Sequence, residues 1–129
     1  MKAKVTDKQL DDACRDACFK RDGYACVMCG KQCTESWIKP DGSTAYAGIQ
    51  WSHVRSRRYK TTRWDMNNVK ALCGGCHKFK WHEPPAGFDP LAWFREKYPG
   101  RLEEIDAKLK RPSIKNMNRE AILKGLLEW

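Results

Sequence analysis

An α+β fold is what the sequence predicts, and three observations predict it. They are a helical-period apolar stripe near the N-terminus, strand-like runs around a turn-forming stretch, and two Cys-x-x-Cys pairs, Cys26/Cys29 and Cys73/Cys76, set far apart in one short chain. A mean hydropathy of −0.77 and an apolar fraction of 41% describe a small core for 129 residues, one that needs reinforcement. The two knuckles offer four soft sulfur ligands, the set a tetrahedral structural zinc takes. The expected architecture is a single domain over residues 1–129: a small zinc-stapled core over about 20–82, an N-terminal helix, and two to three helices in an extension over about 89–129.

In chain order, Thr6-Asp7-Lys8-Gln9 has the form of a capping box. Leu10, Ala13, Cys14, Ala17 and Cys18 then recur at helical spacing until Gly23 offers a stop, which gives a first helix of about four turns. Cys14 and Cys18 lie on its apolar stripe: their four-residue spacing could place two thiolates on one metal, and the preferred reading is that they fill the core. Gly30 allows the tight turn that points Cys26 and Cys29 at one ion; Cys33 could replace one of them, and the preferred reading is a spare thiol because Cys26 and Cys29 complete the standard spacing. Trp37 to Ile38 and Tyr46 to Val54 read as strands around Lys39-Pro40-Asp41-Gly42-Ser43, and residues 55–67 as an ordered basic loop. Val69 to Leu72 is a short strand leading into the second knuckle, and a helix is expected from Gly75 to roughly Trp81, stopped by Glu83-Pro84-Pro85. Asp89-Pro90 opens a helix ending at Pro99-Gly100, Arg101 to Lys110 forms the next with Pro112 as its stop, and Asn118 caps a last one. These tail helices are read as structural.

The net charge of +9 attracts polyanions, and it is unevenly placed. Between Gln50 and His82 stand Arg55, Arg57, Arg58, Lys60, Arg63, Lys70, Lys78 and Lys80 against the single Asp65. Arg55, Arg57, Arg58, Lys60 and Arg63, with Tyr59 and Trp64 interleaved, form a basic, aromatic loop suited to phosphates; Arg63 has a structural alternative, pairing with Asp65 or a backbone carbonyl. Lys78 and Lys80 extend the basic set, and nothing reads a base sequence, so DNA is expected to be recognised by backbone and shape. Met1-Lys2-Ala3-Lys4 is not followed by an apolar signal core, and no stretch approaches a membrane-helix length. A cytoplasmic protein without a membrane partner is expected, and in a reducing compartment the seven cysteines point to metal ligation rather than disulfides.

Within the excursion that the two knuckles clamp, the order is His53, Asn68, His77. Strand, loop, short strand and helix are expected to bring the two histidines face to face across a small cleft, with Asn68 holding the loop. The run Asn68-Val69-Lys70-Ala71-Leu72-Cys73-x-x-Cys76-His77-x-x-Lys80 resembles the HNH endonuclease signature, and the arrangement looks like that of the ββα-metal (His-Me finger) nucleases. More narrowly, Arg21-Asp22-Gly23-Tyr24-x-Cys26-Val27-x-Cys29-Gly30-Lys31, His53-Val54-x-Ser56-Arg57-Arg58, Thr62-Arg63-Trp64-Asp65 and Asn68-Val69 are similar to the NinG (Rap) recombination endonucleases of lambdoid phages. The later run Phe94-x-x-Lys97-Tyr98-x-Gly100-x-Leu102-x-x-Ile105 is similar to the segment that follows the nuclease core there. His77 stands where that family often carries Asn, which brings this version nearer to generic HNH enzymes.

The resemblance implies a phage-encoded endonuclease working in the bacterial host cell on branched or joined recombination intermediates, leaving 5′-phosphate and 3′-hydroxyl ends. His53 would take the proton from the attacking water. His77 would hold a catalytic divalent ion (Mg2+, Mn2+, Ni2+ or Zn2+) as Lewis acid and clamp. HNH enzymes commonly place Asp or His immediately before the base; here the position is Ser52, which could act only through water, and His82 is the candidate substitute ligand. Two other readings stay open: an HNH nickase in packaging or restriction, and a zinc-ribbon DNA-binding module whose nuclease centre has decayed. Symmetric cutting of two strands would need a homodimer or two successive nicks.

Overall fold

The computed structural model of the chain describes residues 4–111 and 117–129. Among them are six helices and two two-stranded antiparallel sheets, and no helix is long and apolar enough to cross a membrane. Helix α1 (Asp7–Arg21) opens as expected: Thr6 Oγ1 accepts the Gln9 N–H at 3.1 Å and Gln9 Oε1 accepts the Thr6 N–H at 2.8 Å. Its stripe of Leu10, Ala13, Cys14, Ala17, Cys18 and Phe19 is buried. Cys14 and Cys18 fill the core there, and burial pushes the Cys14 thiol up to about 12, so it stays protonated.

Strands β1 (Glu35–Ile38) and β2 (Thr44–Ala47) form the first ribbon, around a turn in which Asp41 Oδ1 accepts from both the Ser43 N–H and its hydroxyl. The sequence predicts one strand from Tyr46 to Val54, and the structure breaks it. Gly48, at φ +91°, turns the chain beside the Gln32 carbonyl, 3.4 Å from where a Cβ would stand. The next four residues, β3 (Gln50–His53), leave the first ribbon and pair with β4 (Val69–Leu72). The outer edge of β4 is covered. Its Ala71 N–H donates to Asp22 Oδ2 at 2.9 Å, the Ala71 carbonyl accepts the Val27 N–H at 3.0 Å, and Arg21 Nη2 donates to the Val69 carbonyl at 2.7 Å.

Residues 55–67, expected to be a loop, contain one helical turn, α2 (Lys60–Arg63), and a 3₁₀ turn (Met66–Asn68) begins just beyond Asp65, whose side chain caps it. After β4 the second knuckle forms α3 (Gly74–Cys76), and the segment His77–His82 continues it with π winding. Helices α4 (Pro90–Lys97), α5 (Arg101–Lys110) and α6 (Arg119–Leu127) follow, with Asp89 and Asn118 as side-chain caps of the first and last. Pro112, the expected stop of α5, lies outside the described residues.

Strand alternation assigns every residue of the second ribbon to one of two faces. Trp51 and His53, opposite Ala71 and Val69, face the α1 core, where Trp64, Met66, Ile49 and Leu126 of α6 also pack. Gln50 and Ser52, opposite Leu72 and Lys70, face the other way, where Leu72 packs with Cys26, Cys73 and Cys76. Val54 joins Phe94, Leu102 and Ile105 of α4 and α5 in a third cluster, with Trp81 against it. The tail helices are thus part of the packing.

Candidate functional site

Cys26, Cys29, Cys73 and Cys76 come together, with all four Sγ atoms within 4.8 Å of one another. A tetrahedral zinc with bonds of about 2.3 Å sets sulfurs about 3.8 Å apart, and Cys29 and Cys73 stand at 3.6 Å. The two knuckles repeat one geometry: the Cys29 N–H points at Cys26 Sγ (3.5 Å) and the Cys76 N–H at Cys73 Sγ (3.4 Å). Burial raises the Cys26 thiol, but backbone N–H groups, foremost that of Cys73, outweigh it and hold it at about 7. Burial and the neighbouring sulfurs push Cys76 upward. Four thiolates cannot coexist here without a cation, so this cluster can bind a structural metal such as zinc. Cys33 stands apart as a spare thiol, its Sγ donating to the Glu35 carbonyl at 3.2 Å.

His53 is half-buried at the end of β3, its ring 4.4 Å from that of Trp51. Its Nε2 lies 2.9 Å from the Arg63 carbonyl at the end of α2. A carbonyl can only accept, so Nε2 carries the hydrogen and Nδ1 keeps its lone pair. Burial pulls the pKa down to about 4, helped by Arg57 and Lys70 and opposed by the Arg63 carbonyl, so the ring is neutral at pH 7. Asn68 is fully buried and holds the loop, as expected. Its Oδ1 accepts the Arg55 N–H at 2.8 Å, while its Nδ2 donates to the Arg55 carbonyl at 3.1 Å and the Thr62 carbonyl at 3.0 Å. Consecutive carbonyls of one helical turn, Thr62 and Arg63, therefore receive Asn68 and His53.

The expectation that His53 and His77 meet face to face is not met. His53 shares its face of the ribbon with Trp51, whereas His77 reaches the opposite face, 2.7 Å from Gln50 Oε1 through its Nδ1. Among the described residues, no hydrogen bond or ring contact joins the two histidines. The cause is the two-residue period of β3, which sends neighbouring side chains to opposite sides. His77 meets His82 instead, Nε2 to Nε2 at 2.9 Å. Because the Gln50 oxygen accepts, His77 Nδ1 carries the hydrogen and its Nε2 offers a lone pair toward His82. Burial lowers the His77 pKa to about 4, with His82 and Lys70 adding to it. Two imidazole nitrogens so close, one oriented by an amide, can act together as donors to a borderline cation.

Ser52 is fully buried, and its Oγ accepts from Lys70 Nζ at 3.0 Å. Lys70 is itself without exposure, its ammonium 3.3 Å from the centroid of the Trp81 ring. Burial pulls this amine down to about 7. The sequence counts Lys70 only as one more positive charge. Alternation turns Lys70 away from the face that Val69 and Ala71 bury, so in the sequence it reads as the solvent side; it is buried because Trp81, eleven residues on, covers that second face.

The basic set divides. Arg55 forks onto Asp106 (2.9 and 3.0 Å), and Arg63 onto Asp11 of α1 (2.9 and 2.6 Å) rather than onto Asp65. Its carbonyl, not its guanidinium, makes the backbone contact, with His53. Lys60 reaches Asp7 at 3.2 Å, Arg57 reaches Asp11 at 3.2 Å, and Asp65 pairs with Lys108. Arg58 stacks on Tyr59, Lys78 lies over Phe79, and no carboxylate of the described residues engages Arg58, Lys78 or Lys80. Comparison of the chain with protein-family models, with curated proteins and with solved structures finds no match in any of the three.

Proposed function

We propose that this chain is a metal-dependent DNA endonuclease of the HNH, or ββα-metal, type, stapled by a structural zinc on Cys26, Cys29, Cys73 and Cys76. The carrying observation is a neutral histidine of single tautomer, His53, held by the Arg63 carbonyl at the end of a ribbon whose other strand runs into the four-cysteine cluster. The ribbon β3–β4 followed by the α3–π segment has the order that such a core requires.

In this reading His53 Nδ1 takes a proton from the water attacking phosphorus, while the Arg63 carbonyl holds the imidazole from behind. A depressed pKa keeps the base deprotonated at neutral pH. His77 and His82, on the Gln50 face of the ribbon, are the residues that would hold a divalent ion (Mg2+, Mn2+, Ni2+ or Zn2+), and such an ion would supply Lewis-acid stabilisation to a phosphate that reaches that face. Gln50 orients His77 for that task. Asn68 keeps the loop from Arg55 to Thr62 against His53. Arg58, Lys78 and Lys80 bind backbone phosphates. The products are 5′-phosphate and 3′-hydroxyl ends.

A branched recombination intermediate as substrate, a phage origin and a bacterial host cytoplasm belong to the proposal through the resemblance of the loop. A DNA-processing nickase and a homodimer are its variants, separated by comparing a Holliday junction with linear duplex. The test of the reading is nicking of supercoiled plasmid by zinc-loaded protein with added Mg2+ or Mn2+. His53→Ala abolishes it while leaving zinc content and DNA binding in place, and full activity of that variant would end the assignment. The rival, a decayed DNA-binding module, draws support from Ser52, whose Oγ is taken by Lys70. It expects salt-sensitive binding and no nicking with any divalent ion.

A further inference from the structure

The carbonyl that fixes His53 belongs to a helix of one turn, α2, and a single turn has no stability of its own. Something else must hold Arg63 in place. Its guanidinium forks onto the Asp11 carboxylate, Nε to Oδ1 at 2.9 Å and Nη2 to Oδ2 at 2.6 Å, with side chains only 14% and 17% exposed. The same carboxylate accepts the Trp64 Nε1–H at 2.8 Å, and Arg57 Nη2 at 3.2 Å. Trp64 is buried in the α1 core. Asp11 stands on α1, a fifteen-residue helix capped at its start and buried along one face. One side chain of a rigid helix thus holds the loop at Arg57, Arg63 and Trp64.

We infer that Asp11 is a positioning residue for His53, acting through Arg63, so that the N-terminal helix sets the tautomer of the base. This rests on the reading of His53 as base. With Asp11 in place the Arg63 carbonyl stays on Nε2, and the lone pair stays on Nδ1. Without it the carbonyl drifts, the imidazole exchanges its hydrogen between the two nitrogens, and the ring turns away from one fixed direction.

Asp11→Asn is the informative variant, because the amide keeps an oxygen for the Trp64 N–H and removes the charge that grips Arg63. Long-range 1H–15N spectra of histidine-labelled, zinc-loaded full-length protein read the tautomer directly. The parent protein gives the single Nε2–H form of His53; Asp11→Asn gives a mixture, kcat for plasmid nicking falls about 100-fold, and DNA affinity and zinc content stay as they were. Asp11→Glu restores both readouts in part. If Asp11→Asn loses its zinc or its helix content, Arg63→Gln, which leaves Asp11 to Trp64 and Arg57, is read in its place. A single Nε2–H tautomer and an unchanged kcat in the variant read overturn the inference. An inactive His53→Ala together with that result would leave the nuclease reading intact, whereas an active His53→Ala removes the base assignment whatever the tautomer shows.

Discussion

His77 and His82 meet nitrogen to nitrogen at 2.9 Å because the segment between them is wound with i→i+5 hydrogen bonds, as in Glu83 N–H to the Lys78 carbonyl at 2.9 Å. In an α-helix a five-residue spacing would splay the two rings to different sides. The π winding brings them together, with ring centroids 4.5 Å apart and planes tilted by 50°, and such insertions concentrate at functional sites. Mn2+ or Ni2+ titration by calorimetry on zinc-loaded protein should therefore show one further site. His77→Ala and His82→Ala each remove it, and Gln50→Ala weakens it about 10–100-fold by freeing the orientation of His77. Undiminished binding in His82→Ala would mean that the pair is only a packing contact.

Chelation should separate two classes of cysteine. Cys29→Ser or Cys73→Ser is expected to release the structural ion and unfold the excursion, because metal binding and folding are one process in sites of this kind. Cys33→Ser should keep a full complement of zinc, measured by metal analysis and thermal unfolding, since its thiol bonds only the Glu35 carbonyl.

The basic residues should sort by partner rather than by charge. Arg58→Ala or Lys80→Ala should lower DNA affinity on any sequence and reduce the salt slope by about one. Arg55→Ala should instead cost about 0.5–1 kcal/mol of stability, as expected for a pair a third exposed, with Asp106→Asn costing a similar amount. Equal losses of DNA affinity in all four would contradict this division.

Lys70 carries a pH signature. Its amine titrates near 7 in the folded protein and near 10.5 when unfolded, so between those values the unfolded chain holds the extra proton. Its contribution to stability must then rise with pH from about 7 to 10, at up to about 1.4 kcal/mol per pH unit. Thermal melts across this range should show the parent protein gaining on a Lys70→Met, Ser52→Ala double variant, whose core has no amine to discharge. A constant difference would place the Lys70 ammonium in water.

The four-cysteine cluster, the helix caps at Thr6, Asp89 and Asn118, and the buried stripe of α1 were legible because each depends on residue type at fixed local spacing. Asn68 as holder of the loop was legible too. The division of the long strand was not, because only the left-handed backbone at Gly48 shows where the chain turns. The opposite facing of His53 and His77 follows from the start of β3, and a shift of one residue there would reverse it. No composition rule announces π winding, so the pairing of His77 with His82 could be named as a candidate but not built. Asp11 lies on a helix whose sequence signal is its capping box and apolar stripe, and its grip on Arg63 spans 52 positions of sequence.

The covered edge of β4 bears on how the chain can assemble as it is made. Val69 and Ala71 complete the core of α1, while Asp22, at the end of α1, and Val27, inside the first knuckle, must already be in place to receive Ala71. A nascent chain that has emerged only as far as the basic loop offers the first helix Tyr46, Ile49 and Trp51 but neither Val69, Ala71 nor Leu126, and holds half a set of thiols. Until the second knuckle appears, Cys26 and Cys29 stand without Cys73 and Cys76, so the order of synthesis puts closure of the four-sulfur cluster after the ribbon that it anchors has been made.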